Sequence, residues 1–193
     1  MQNLSHIQPI VLVGGKSSRF GSDKLRAIIG QDENGPVLMV HRPIAALRAI
    51  FGPRVMLVGA CDFSLQALAD SIIKDRYPGQ GPAGGILSAL EATARDVFVL
   101  PGDLPRITAQ LVLLILARAE QHPDALIVMA QTDRPEPCVA LYRTEDETTS
   151  ALRRHIADPC RGPLHAAVPE SRRVMVPCDR DPLTNVNRKE DLA

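Results

Sequence analysis

One short segment near the start of the chain concentrates glycine, serine and basic residues. It runs Gly14-Gly15-Lys16-Ser17-Ser18-Arg19-Phe20-Gly21-Ser22-Asp23-Lys24 and follows the apolar run Pro9-Ile10-Val11-Leu12-Val13. Glycine lets a backbone approach a ligand closely and turn successive N–H groups toward an anion. Arg19 and Lys24 add full positive charge where phosphates would lie. The segment therefore predicts a loop that binds a triphosphate.

Two familiar phosphate-binding motifs do not describe this segment. A Walker loop requires an upstream glycine that Gly15-Lys16-Ser17 lacks, and no Gly-x-Gly-x-x-Gly dinucleotide fingerprint occurs. One alternative is a basic surface loop. The need for a turn would explain the glycines of such a loop, but it would not explain Arg19 and Lys24. For Lys24 the alternative is a surface ion pair with Asp23, of a kind that contributes little to stability.

An acidic turn follows a second apolar run, Val97-Phe98-Val99-Leu100. The turn is Pro101-Gly102-Asp103-Leu104-Pro105. Magnesium prefers one or two carboxylates together with substrate phosphates and water, so Asp103 is a candidate ligand for this cation. The alternative is a purely structural role, because aspartate is common in turns for its local hydrogen bonding.

Both motifs must be positioned by the elements around them. Apolar runs of strand length alternate with helical patterns along the chain. Strands are predicted at 10–13, 55–58, 71–74, 97–100, 126–130, 139–142 and 174–176. Helices are predicted at 36–50, 64–70, 84–94, 108–121 and 148–157. This alternation predicts an α/β fold over residues 1–193, a single-domain, Rossmann-like three-layer sandwich with a mostly parallel sheet. Ligands bind at the carboxyl ends of such strands, where both motifs fall.

Three connecting segments are polar or rich in glycine and proline. Residues 31–36 predict a hairpin turn or a mobile loop, and residues 81–85 predict a glycine-rich loop before a helix. Residues 159–173 contain prolines, arginines and a histidine, and could cover a second substrate.

Composition excludes several classes of protein. Lys+Arg and Asp+Glu each number 22 among 193 residues, so we expect no general positive potential that would attract nucleic acid. There is no Trp, so we expect no set of aromatic side chains on which bases could stack. The apolar stretches are too short to span a bilayer, and the first residues do not resemble a signal peptide. The cysteines show no Cys-x-x-Cys spacing. These features predict a cytoplasmic enzyme that binds neither nucleic acid nor a membrane.

The glycine-rich segment resembles the signature of the MobA-like nucleotidyltransferases, Leu-Ala-Gly-Gly-x-Ser-x-Arg-Met-Gly-x-Asp-Lys, with Val13 for alanine and Phe20 for methionine. Four further matches follow in the family's order. The family's Gly-Pro-Leu-Ala-Gly corresponds to Gly81-Pro82-Ala83-Gly84-Gly85, and its Cys-Asp-x-Pro corresponds to Gly102-Asp103-Leu104-Pro105. Its Glu-Pro-Leu-x-Ala-Leu-Tyr is weakly similar to Glu136-Pro137-Cys138-Val139-Ala140-Leu141-Tyr142, and its Asn-Ile-Asn-Thr-Pro-Glu-Asp-Leu resembles Asn185-Val186-Asn187-Arg188-Lys189-Glu190-Asp191-Leu192. The resemblance spans almost the whole chain and is nearest to the molybdenum cofactor guanylyltransferases.

That resemblance implies a fold of the nucleotide-diphospho-sugar transferase type and a reaction that joins GMP from GTP to molybdopterin, with release of pyrophosphate. It implies Mg²⁺ as cofactor, GTP and molybdopterin as substrates, and transient contact with molybdoenzymes or their chaperones. The implied catalytic residues are Arg19, Lys24 and Asp103. The implied nucleotide-binding residues are Leu12, Val13, Gly14, Gly15, Lys24, Asp75, Gly81, Pro82 and Asp103. The implied metal ligands are Asp103 and Asn185, with Asn187 as an alternative to Asn185.

Departures from the family pattern leave alternatives open. The segment from Gly81 is nearer the guanylyl form than the cytidylyl form but identical to neither, and an asparagine expected after the second strand is replaced around Ala60-Cys61. A cytidylyltransferase or another NTP transferase with a different phosphate acceptor is one alternative, and a catalytically inactive nucleotide-binding relative is another. Asp75 could equally be a solvated charge at a strand end, and Asn185 a helix cap.

Overall fold

The computed structural model describes residues 4–14, 24–33, 35–60 and 63–183. These residues contain a seven-stranded sheet. In spatial order its strands are β5 (Ser71–Ile73), β4 (Met56–Val58), β1 (Ile7–Leu12), β6 (Asp96–Pro101), β8 (Pro135–Tyr142), β7 (Ile127–Gln131) and β9 (Arg173–Pro177). Strand β8 runs antiparallel to both of its neighbours, and the other pairings are parallel. The predicted mostly parallel sheet is confirmed.

Helices cover both faces of this sheet. On one face α1 (His41–Phe51) packs against α4 (Ala109–Gln121), and on the other α3 (Gly81–Thr93) packs against α5 (Asp146–Ala157). The buried apolar residues form one cluster on each side: Val11 belongs to the cluster under α1 and α4, and Ile10 to the cluster under α3 and α5. Successive strand residues point to opposite faces, so one apolar strand serves both clusters. The three-layer α/β architecture is therefore confirmed.

Two predicted helices have different bounds in the structure. The helix predicted over 36–50 begins only at His41, because β3 (Gly35–Leu38) pairs with β2 (Ile28–Asp32) as an antiparallel hairpin. Gly35 has a φ of 112°, which glycine adopts without strain, and the hairpin predicted for residues 31–36 is confirmed. The helix predicted over 64–70 is reduced to the single turn α2 (Phe63–Gln66).

The segment predicted as a loop over 81–85 is instead the first turn of α3. This helix begins at Gly81, and Pro82 occupies its first turn, where a missing N–H leaves no intrahelical bond unmade. Burial also begins there, since Ala83 and Ile86 are already enclosed. The loop prediction was wrong because it gave more weight to the glycine content of the segment than to the apolar pattern that starts at Ala83.

Within the described ranges, no helix combines the length and the apolar character needed to cross a membrane.

Candidate active site

Lys24 and Asp103 meet at the edge of the sheet where β1 and β6 end. Lys24 Nζ lies 2.5 Å from Asp103 Oδ2, although the two residues are 79 positions apart in the chain. Their side chains are 22% and 15% exposed, so the pair is largely shielded from water. The structure thus brings together the residue predicted to bind a triphosphate and the residue predicted to bind a metal.

The main chain at Lys24 is anchored by the segment between β3 and α1. Lys24 begins a 3₁₀ turn, Lys24–Arg26. Val40 N donates to Leu25 O at 3.2 Å, and Met39 N donates to Ala27 O at 2.9 Å. The β2–β3 hairpin and its exit toward α1 therefore position Lys24, a role that the sequence did not reveal.

His41 closes the connection between β3 and α1. Its Nδ1 accepts the N–H of Leu38 at 3.2 Å, so the ring proton is on Nε2. Nε2 is buried and has no partner among the described residues. Burial lowers the pKa of His41, and the Asp32 carboxylate opposes that shift. The segment between β3 and α1 therefore favours the neutral form of the His41 imidazole.

Asp103 follows β6 through a turn that is fixed by Gly102. Gly102 N donates to Leu12 O at 3.0 Å, which continues the parallel pairing of β1 with β6. A Cβ at position 102 would lie 2.9 Å from Leu25 Cδ2 and 3.2 Å from Leu12 O. Leu12, predicted to bind nucleotide, thus has its carbonyl engaged in holding the Asp103 turn.

The first turn of α3 lies beside the end of β1. A Cβ at Gly85 would approach Leu12 Cδ2 to 2.9 Å, which shows how tightly the two elements pack. The first N–H groups of a helix have no intrahelical acceptor, so the main chain of Gly81 and Ala83 offers donors at this end. Carbonyls of the turn are directed along the helix, and Gly84 O also accepts from Ser88 Oγ at 2.8 Å. The turn therefore suits a ligand that brings hydrogen-bond acceptors.

Gly84 packs against the loop between β5 and α3. A Cβ at this position would lie 2.7 Å from Tyr77 O and 3.0 Å from Tyr77 Cβ. Tyr77 is held in place by its hydroxyl, which donates to Glu91 Oε1 at 2.9 Å, and Glu91 also pairs with Arg153 at 2.7 Å. The departure from the family's alanine at Gly84 has a steric reason in this chain.

Asp75 shapes the same loop. Its Oδ1 accepts the N–H of Tyr77 at 2.8 Å and lies 3.3 Å from Ser88 Oγ. Ser88 Oγ accepts the N–H of Arg76 at 2.9 Å. These bonds join the end of β5 to α3. The structure gives Asp75 a positioning role, and its contact with a nucleotide stays a prediction.

Val13 and Gly14 lie where β1 meets the end of β4. Val13 N donates to Val58 O at 2.9 Å. A Cβ at Gly14 would be 3.8 Å from the Cα of Gly59 and 3.9 Å from Ala60 N, which is ordinary contact. The predicted nucleotide-binding residues of β1 thus lie between the turns that follow β4 and β6.

Cys138 of β8 lies close enough to Asp103 for their charges to interact, and the sequence did not indicate it as a neighbour of the site. Burial, together with the carboxylates of Asp103 and Glu136, raises the pKa of the Cys138 thiol to about 12. The thiol is therefore neutral at physiological pH. Strand β8 pairs antiparallel with β6, the strand that leads to Asp103, and no spacing in the sequence signals that pairing.

The chemistry at Asp103 fits a hard divalent cation. The carboxylate offers oxygen donors, and a cationic group, the Lys24 ammonium, already lies against one of them. The described residues contain no cluster of three or more His, Cys, Asp or Glu side chains that could enclose a metal. A cation at Asp103 would therefore take further ligands from substrate phosphates and water, as Mg²⁺ commonly does.

Three predicted site residues, Gly15, Arg19 and Asn185, lie outside the described residues, as does Asn187. The chain just before Asn185 is described as far as residue 183. Arg106 Nη1 lies 2.6 Å from Asp181 Oδ1, so this stretch runs beside the turn that carries Asp103.

Comparison with known proteins agrees with this geometry. The family model of the MobA-like NTP transferase domain matches residues 9–179. A probable molybdenum cofactor guanylyltransferase of Mycobacterium ulcerans is 31% identical over 188 residues, covering 95% of this chain and 90% of the relative. Among solved structures, molybdopterin-guanine dinucleotide biosynthesis protein A of Archaeoglobus fulgidus has a TM-score of 0.70 at 20% identity, with 95% and 94% of the two chains covered.

The fold extends to other nucleotidyltransferases. The 2-C-methyl-D-erythritol 4-phosphate cytidylyltransferase of Thermus thermophilus has a TM-score of 0.62 at 13% identity, again with 95% and 94% of the two chains covered. At that identity the likeness concerns the fold alone. The match of the family model over most of the chain shows that the chain belongs to the MobA-like NTP transferases, and the sheet order and the contact of Lys24 with Asp103 agree with it.

Proposed function

We propose that this protein is a magnesium-dependent guanylyltransferase that transfers GMP from GTP to molybdopterin and releases pyrophosphate. The observation that carries the proposal is the meeting of Lys24 with Asp103 at the carboxyl edge of the sheet, because nucleotidyl transfer needs a cation for the triphosphate beside a carboxylate for the metal. The names of the relatives support the choice of GTP and molybdopterin. The cytoplasmic location predicted from the sequence belongs to the same proposal.

In this mechanism the chain's residues bind and orient, and do no covalent chemistry. Lys24 and Arg19 would hold the triphosphate of GTP. Asp103 and Asn185 would hold Mg²⁺, which would supply positive charge to neutralise the phosphates. An oxygen of the acceptor's phosphate forms a bond to the α-phosphorus while the bond from that phosphorus to the bridging oxygen breaks. Pyrophosphate carries away the electron pair. Positioning and charge neutralisation account for the rate.

The donors at the first turn of α3 support guanine as the base. The main-chain N–H groups of Gly81 and Ala83 can bind the carbonyl oxygen at position six of guanine, and adenine carries a donor there instead. The Arg161 guanidinium donates to Oε1 of Gln80, the residue directly before α3, so the segment after α5 reaches the start of α3. We place the acceptor under this segment, which the sequence predicted could cover a second substrate.

The test is pyrophosphate release in the presence of molybdopterin, Mg²⁺ and GTP, CTP or ATP, with the product identified by mass spectrometry. We expect release with GTP only when molybdopterin is present. We also expect that Asp103→Asn makes the rate depend steeply on Mg²⁺ concentration, whereas the exposed control Asp124→Asn does not. A preference for CTP would establish the cytidylyl alternative, and nucleotide binding without any release would establish an inactive relative.

A further inference from the structure

The Lys24 ammonium lies against one oxygen of the Asp103 carboxylate, the group that is predicted to bind a metal ion. Nζ lies 2.5 Å from Oδ2, so the ammonium and the carboxylate are in direct contact. We propose that Lys24 and a divalent cation compete for Asp103, and that a triphosphate ends the competition by drawing Lys24 onto itself. The inference rests on the proposed function only in taking a nucleoside triphosphate as the anion that receives Lys24.

Electrostatics gives the competition its direction. A divalent cation bound to Oδ2 would lie beside the Lys24 ammonium, and like charges at such separations repel. Because only 22% and 15% of the two side chains are exposed, water screens that repulsion incompletely. A metal ion that binds Oδ2 must therefore displace the Lys24 ammonium first. A triphosphate offers Lys24 several anionic oxygens, so metal and nucleotide bind more favourably together than either does alone.

The construction of the site allows Lys24 to exchange partners. The main chain beside Lys24 is fixed by the bonds of Leu25 and Ala27 to Val40 and Met39. The lysine side chain is a flexible four-carbon stem with a compact charge, so its ammonium can change partner without movement of the backbone. The pair is thus a contact that keeps the carboxylate from metal until nucleotide arrives.

The test measures binding of Mn²⁺ alone, by the loss of the electron paramagnetic resonance signal of the free ion. Four forms are compared with the wild-type protein: Lys24→Met, Lys24→Arg, Asp103→Asn and the double variant of Lys24→Met with Asp103→Asn. We expect Lys24→Met to bind Mn²⁺ at least about fivefold more tightly than wild type, which corresponds to about 1 kcal/mol. Lys24→Arg keeps the charge and serves as the matched control, with no gain expected. Both forms that carry Asp103→Asn should lose the site.

Adding GTP completes the test. GTP should increase the affinity for Mn²⁺ more in the wild-type protein than in Lys24→Met, which has no ion pair left to release. Unchanged or weaker binding of Mn²⁺ by Lys24→Met, or a gain that survives Asp103→Asn, would overturn the competition. Circular dichroism checks folding, and Lys24→Gln replaces Lys24→Met if the latter is misfolded. Tighter Mn²⁺ binding by Lys24→Met, with no transfer activity in the wild-type protein, would retain the competition and reject the proposed function. Transfer activity in the wild-type protein without tighter Mn²⁺ binding by Lys24→Met would do the opposite.

Discussion

Gly102 and Leu25 pack against each other, and each is the chain neighbour of one member of the Lys24–Asp103 pair. A Cβ added to Gly102 would lie 2.9 Å from Leu25 Cδ2. The turn that carries Asp103 and the turn that carries Lys24 are therefore packed against each other through the chain neighbours of the two charged residues. Two charges that are 79 residues apart in the chain keep their geometry through this contact.

We expect Gly102→Ala to lower activity more than stability. The new methyl group must move the end of the Leu25 side chain and shift Leu12 O by a few tenths of an ångström, and overpacking of this kind costs about 1–3 kcal/mol. Chemical denaturation and steady-state kinetics measure the two effects. Leu25→Ala in the same chain should restore part of the loss, giving a non-additive double-mutant cycle. Strict additivity would show that the contact does not hold the two turns together.

Lys24→Ala should reduce turnover severely while leaving the protein folded. Removing one preorganised charge from the transition state of a group transfer costs about 2–4 kcal/mol in comparable sites. Single-turnover rates measured with saturating nucleotide separate this loss from weaker binding. Turnover at the wild-type rate in a correctly folded Lys24→Ala protein would exclude Lys24 from the phosphate-binding role.

GTP should bind at least about tenfold more tightly than ATP, because mismatched donors at a fixed backbone edge cost about 1–3 kcal/mol each. The hydrogen-bond donors are the main-chain N–H groups of Gly81 and Ala83. They lie at a helix end where the carbonyls point along the helix axis, so this end offers a ligand donors and not acceptors. Calorimetric titration in the presence of Mg²⁺ measures the two affinities. Equal values would reject the guanine assignment.

Gly84→Ala should destabilise the protein even though alanine is the residue of the family pattern. Alanine favours a helix over glycine by about 1 kcal/mol, but here its methyl group would lie 2.7 Å from the main-chain oxygen of Tyr77. Because that oxygen belongs to backbone held by Asp75 and Glu91, we expect steric overlap to prevail, at a net cost of about 1–2 kcal/mol. The matched control is Gly162→Ala, where a Cβ would have no atom within 4 Å. Denaturant midpoints compare the two, and equal midpoints would contradict the packing argument.

The free energy of unfolding should fall as the pH decreases below the ordinary His pKa of 6.5. Burial lowers the pKa of folded His41, so between the folded and unfolded values the unfolded chain binds more protons, and stability rises with pH there. The stability due to neutral His41 is complete above pH 6.5 and is lost as the pH falls toward the folded pKa. His41→Asn should flatten this slope.

His155 must be separated from His41 in that experiment. Burial and the Arg161 guanidinium lower the pKa of His155, against the opposing effect of Asp158. His155→Asn should therefore remove its own part of the slope, and the double variant should remove more than either single change. A slope that neither substitution alters would place the acid sensitivity elsewhere in the chain.

The sequence predicted the strands well because each strand in this sheet is a short apolar run flanked by turn residues. It also placed Lys24 and Asp103 at the same edge, since both follow strands that end there. Their direct contact could not be predicted, because it requires β1 to lie next to β6 in the sheet. Strand order is set by packing across the whole domain and leaves no local signal.

Two failures of prediction have local physical causes. Residues 36–50 combine apolar spacing compatible with a helix, yet Gly35 turns the chain into a hairpin whose second strand ends at Leu38. Residues 81–85 have the composition of a loop, but burial of Ala83 and its neighbours stabilises a helix there. In both cases tertiary contacts outweighed local composition. The same limit applies to Cys138, whose electrostatic interaction with Asp103 depends on the antiparallel pairing of β8 with β6.

The antiparallel β8 also has a consequence for the order in which the chain folds. Strands β7 and β8 are joined by a tight turn over residues 132–134, so their pairing closes a very short loop. The Lys24–Asp103 contact closes a loop of 79 residues and carries a larger entropic cost. We therefore expect the hairpin to form within microseconds and the charged pair to form late. Nucleotide added to refolding chains would then capture molecules that have nearly finished folding, without accelerating the earlier steps.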